Sequence, residues 1–207
     1  MADLIDIGAD DLPVERRLRL SIRWRSIRTL FMFPDEACAY FSIGLFLGDQ
    51  PLFNEAVYPD VDDEVSASTS KGYFKVYDDN CDLLTGLRDL LVANKRFDFE
   101  DFVEPLFRLI IAPDALDAAD KVTSDTDDFD VLAIIYSGGN WHGQALGDTG
   151  PAVRLRVARN DIAAFFRELL DEALDPDVCA EDSRQILRQR FKDDLANRPE
   201  TASGMPL

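Results

Sequence analysis

The sequence predicts an α+β fold: a single domain with a mainly antiparallel β-sheet, helices packed on one face and a C-terminal helical extension. Three observations carry this. Period-two runs of apolar residues recur along the chain, as in half-buried strands. Leucine and phenylalanine stripes at helical spacing occur at only a few places and do not alternate regularly with those strands. Several strands are joined by short or acidic connections, which favours antiparallel pairing. With 207 residues, 46% of them hydrophobic and 30% charged, the chain can bury one core.

The first thirteen residues, with Asp3, Asp6, Asp10 and Asp11, read as a loose acidic arm. The domain is expected over 14–197, followed by a disordered tail over 198–207, "RPETASGMPL" being its end of the sequence. "RLRLSIRWR" alternates strictly, with Leu18, Leu20, Ile22 and Trp24 on one face and Arg17, Arg19, Ser21, Arg23 and Arg25 on the other. The alternation breaks near Ser26–Ile27, where a bulge or turn is expected. "CAYFSIGLFLG" reads as a strand closed by Gly48-Asp49, residues 50–70 as a loop, and "GYFKVYDD" as a third strand.

Leu83, Leu84, Leu87, Leu90 and Leu91 then predict a helix capped by Asp79 or Asn80. "NKRFDFEDFVEP" reads as a connection. A strand is expected at 106–112, short and closed by Pro113, although Pro105 could also open a helix. After an acidic connection, "VLAIIY" is apolar on both faces, as a central strand would be. Val153, Leu155 and Val157 alternate with Arg154 and Arg156, and the strand runs into a helix capped by Asn160 or Asp161. Ile162, Phe165, Phe166, Leu169, Leu170 and Ala173 form the stripe of that helix, and Asp175-Pro176-Asp177 ends it. A weaker helix is expected at about 182–196. No internal repeat is visible.

The formal charge of −18 argues against direct binding to a nucleic-acid backbone and disfavours anionic membranes. It fits a solvated surface or a basic partner steered in by the field. The charge is uneven: Arg16–Arg28 holds six arginines and no acid, leaving 16 basic against 40 acidic residues elsewhere. Outward arginines could meet acidic loops and helix ends within the fold, or bind an anionic ligand or another subunit.

No membrane-length apolar run and no signal pattern is present, and three scattered cysteines without CxxC spacing read as reduced thiols. A cytoplasmic location is expected.

"SGGNWHGQALGDTG" holds the single histidine, His142. Its Gly-Gly and Gly-Asp pairs suit hairpin turns, and it lacks both a GxSxG elbow and a phosphate-loop spacing. A hairpin with a short strand at 141–146 is therefore preferred to a catalytic loop using His142 with Asp148 or Ser137, and Trp141 could anchor a partner. The acidic runs lack the order and glycine of a calcium loop, and the Cys/His set is too sparse for zinc. No metal, no cofactor and no catalytic residue is assigned.

The order of a Leu-rich helix, "FDFEDFVEPLFRLII", an acidic loop, "VLAIIYSGG" and "VRLRVARNDIAAFFRELLDEAL" resembles small bacterial immunity proteins of the WapI type, over about residues 81–174. The resemblance implies a non-catalytic partner that neutralises a basic toxin domain by occluding its active site. Asp60, Asp62, Asp63, Glu64, Asp125, Asp127, Asp128 and Asp130, with Trp141, are the candidate partner-binding residues. The alternatives are an acidic nucleic-acid mimic or other interaction protein from a phage or mobile element, told apart by carboxylate spacing, and an enzyme built around His142.

Overall fold

The alternation at Leu18, Leu20, Ile22 and Trp24 builds the longest strand pairing among the described residues, β2 (Leu18–Leu30) against β3 (Phe33–Leu47). Those four residues stand opposite Leu47, Leu45, Ile43 and Phe41. The register shifts between Trp24 and Ser26, where the sequence pattern breaks. Strict alternation would turn Ile27 to the outer face. The extra residue brings it back opposite Ala39, and both are buried.

The computed structural model describes residues 2–8, 12–30, 33–52, 73–78, 81–100, 107–113, 128–135 and 152–196. Two antiparallel sheets and four α-helices lie among them, an α+β single domain. In sheet A, β1 (Ala2–Ile5) pairs β2, and both β4 (Gln50–Pro51) and β5 (Tyr73–Asp78) pair β3. In sheet B, β6 (Phe97–Glu100), β7 (Phe107–Pro113), β8 (Asp128–Ile135) and β9 (Ala152–Ala158) form a meander in chain order.

The helices are α1 (Asp82–Ala93), α2 (Arg159–Ala173), α3 (Glu181–Arg190) and α4 (Lys192–Ala196). Each sheet is thus a meander followed by a helix. None of the helices is long and apolar enough to cross a membrane.

Five expectations need correction. Residues 2–5 are a strand and not a loose arm, because Ala2 and Leu4 are apolar enough to extend the buried face of β2. Phe97–Glu100, read as connection, alternates buried and exposed residues and forms the edge of sheet B. Asp78 caps α1, its carboxylate accepting from the N–H groups of Asp82 and Leu83. It does so across Cys81, which is held at φ 52. The N-cap position of α2 is Ala158, with no side-chain cap; Asn160 and Asp161 are already inside the helix. The final helix is also split at Phe191, which is buried against Phe166 with ring centroids 6.1 Å apart.

The sheets meet at the N-terminus. Ile7 N–H donates to the Arg156 carbonyl at 2.7 Å, and the Asp6 carboxylate accepts from Arg156 N–H at 2.8 Å. One hydrophobic core spans both sheets, with α2 against β1 and β2, α1 against β6 and α2, and α3 against β2 and β3. The contact of Phe41 in sheet A with Phe99 in sheet B, centroids 5.7 Å apart, ties the two inner faces. Gly86 in α1 lies so close to the Phe97 ring that a Cβ there would overlap it, which explains a glycine inside a helix.

Candidate protein-binding surface

Among the described residues, two outer sheet faces carry clusters of charge. On sheet A the arginines of β2 point away from the core and find partners within the fold. Arg19 donates to Asp3 at 3.1 Å and to the Gly48 carbonyl at 3.2 Å, reaches Asp49 at 3.6 Å, and lies 4.6 Å over the Phe46 ring. Arg17, just before β2, donates to the Leu12 carbonyl; within β2, Arg25 donates to the Ser42 hydroxyl and Arg23 reaches Glu172 at 3.8 Å. Arg28 lies over Tyr40. The basic strand is therefore tied down by side chains and carbonyls of its own domain, as the structural alternative requires.

Sheet B has the second charged face. Arg108 holds Asp98 in a two-point bond with both distances 2.8 Å. Arg154 holds Asp130 at 2.7 Å, and Arg156 holds Asp128 at 2.8 Å. Each arginine sits diagonally from its carboxylate: Asp130 is directly opposite Arg156 but bonds Arg154. The arginines of β2 and β9 belong to different sheets, so no single sheet gathers them into one basic side.

Of the nine candidate binding residues, the structure brings together Asp128 and Asp130, two apart on one face of β8. Asp60, Asp62, Asp63, Glu64, Asp125, Asp127 and Trp141 lie outside the described residues, as do His142 and the hairpin around it. Asp98 and Asp6 take up arginine contacts that sequence reasoning did not assign. The alternation in "FDFE" places Asp98 outward and was the available signal for it. The position of Asp6 depends on the sheet junction and had none.

The ion pairs on sheet B are partly exposed, and such pairs stabilise by about 0–1 kcal/mol. Replacing both Asp128 and Asp130 by asparagine is expected to lower stability by no more than about 2 kcal/mol, read as the shift of a urea midpoint with unchanged slope. A much larger loss would make these residues structural and unsuited to a binding surface.

Among the described residues no group of His, Cys, Asp and Glu could hold a metal ion. All three cysteines are free and buried. Burial, helped by Asp78, pushes the Cys81 thiol well above its ordinary 9.0, and burial raises Cys179 to about 11. Raised thiol values favour the fold while both states are protonated. That stability is present below about pH 9 and is lost as pH rises toward 11. A thiol reagent is accordingly expected to leave the native chain unmodified at neutral pH and to label all three cysteines after unfolding. Fast labelling of the native chain would contradict this burial.

No family model, curated protein or solved structure matches the chain.

Proposed function

We propose that this chain is a protein-binding inhibitor acting in the cytosol, an immunity protein that neutralises a basic toxin domain by covering its active site. The observation that carries the reading is the division of charge. The arginines of β2 are engaged by groups of the same domain, and the chain as a whole carries a net charge of −18. Such a field speeds encounter with a basic partner and rejects acidic ones. No reaction by this chain is needed, because a toxin whose cleft is filled cannot bind substrate.

The binding face is assigned to Asp60, Asp62, Asp63, Glu64, Asp125, Asp127, Asp128 and Asp130, with Trp141 as the apolar anchor. Arg154 and Arg156 hold Asp130 and Asp128, so each of these two carboxylates is already part of an ion pair within the fold.

The test begins with the chain tagged at its C-terminus, expressed in its native host and washed at low and high salt. A single basic protein, retained one to one and released by salt, is the expected result. Alanine at all eight acidic positions should then slow its association and flatten the salt dependence. Unchanged binding by that variant would refute the surface assignment. Retention of nothing across the salt range would count against the inhibitor reading itself.

A further inference from the structure

We propose that the Gly48 end of sheet A is a self-association surface that takes a second copy of this chain. The proposal stands apart from the inhibitor reading and rests on different residues. Among the described residues five large hydrophobic side chains are exposed, and four of them, Leu12, Val14, Leu47 and Leu52, belong to this end.

The backbone brings the segments that carry them to one end of the sheet. Leu47 pairs with Leu18, and Leu52 N–H donates to the Leu45 carbonyl. Gly48 N–H donates to the Arg17 carbonyl, and Arg17 in turn donates to the Leu12 carbonyl. The 3-10 turn Val14–Arg16 packs its Glu15 carbonyl against Gly48. The core row of β3 passes out of cover between Leu45, fully buried, and Leu47, 45% exposed. Four side chains exposed by 38–56% present on the order of 300 Å² of apolar surface per copy. That suits the apolar centre of an interface burying ~800 Å² on each partner.

Charge selects the occupant. Two copies at −18 repel each other over most of their surface, and the segment Arg16–Arg28 is where the chain is locally least negative. The patch lies at the start of that segment. Its rim carries both signs, Glu15 and Arg16 from the turn and Asp49 from the hairpin, all exposed. A two-fold axis through such a rim sets cation against carboxylate in both directions. A strongly basic partner would be repelled by Arg16, and a strongly acidic one by Glu15 and Asp49.

Sedimentation equilibrium over about 1–300 μM chain tests this. The wild-type mass is expected to rise from one chain to two with concentration. It should do so more readily at high salt, which screens the net repulsion and leaves the apolar contact. Val14→Ser/Leu47→Ser should associate at least about tenfold more weakly while melting as a folded protein. If that pair of substitutions unfolds the chain, Val14→Ser alone, on the exposed turn, carries the same prediction. A wild type that stays monomeric throughout overturns the proposal and leaves the patch to another partner. A variant that dimerises as tightly as wild type overturns it as well, by placing the contact elsewhere.

Discussion

Replacing Trp24 by alanine is expected to cost about 3–5 kcal/mol, the largest loss from any single truncation in the core. Trp24 is 1% exposed, and its indole N–H donates to the Leu169 carbonyl at 2.9 Å. Its ring meets Phe41 edge-on at 5.4 Å, and Phe41 continues the contact to Phe99 in the other sheet. Truncation would leave a cavity, an unpaired carbonyl and a gap in the row joining sheet A, α2 and sheet B. Trp24→Phe separates these effects: it retains most of the volume and loses the hydrogen bond, so an intermediate loss is expected. Urea unfolding measures both. A loss below about 1 kcal/mol for Trp24→Ala would mean that the sheets do not depend on this row.

The second large effect is expected at Gly48, where alanine should cost about 2–4 kcal/mol. Gly48 adopts φ +59, a conformation that disfavours any side chain. A Cβ there would also collide with the Glu15 carbonyl oxygen, which is backbone and cannot swing aside. The hairpin turn and the 3-10 turn are fastened at this point by Gly48 N–H to the Arg17 carbonyl. Gly8→Ala is the control, since its Cβ would meet only the flexible Asp6 carboxylate and the Arg156 side chain at 3.3 Å or more. Equal midpoints for the two variants would contradict the account of Gly48.

Much of the fold was legible because a two-residue period survives wherever one face is buried. Leu18 to Trp24 and Val153 to Val157 each displayed it, and the break at Ser26–Ile27 marked a real bulge. The helical stripes of α1 and α2 were equally plain. What was lost is non-local. That Ala2–Ile5 is a strand follows from β2 offering an edge, and nothing in four residues beside several aspartates announces it. The edge strand β6 was missed because its four residues sit between charged neighbours. The capping role of Asp78 required the chain to double back at Cys81. On the surface, sequence gave the sign and clustering of charge. It could not pair Asp130 with Arg154 in preference to the directly opposite Arg156, because that choice follows from the geometry of the formed sheet.

The central claim, neutralisation by occlusion, is tested most directly by titrating the activity of the captured basic partner with this chain. The account predicts that activity falls linearly to zero at one chain per partner, with the partner chemically unchanged and active again after separation at high salt. Full activity in the presence of excess bound chain would contradict occlusion, and covalent modification of the partner would contradict a non-catalytic role.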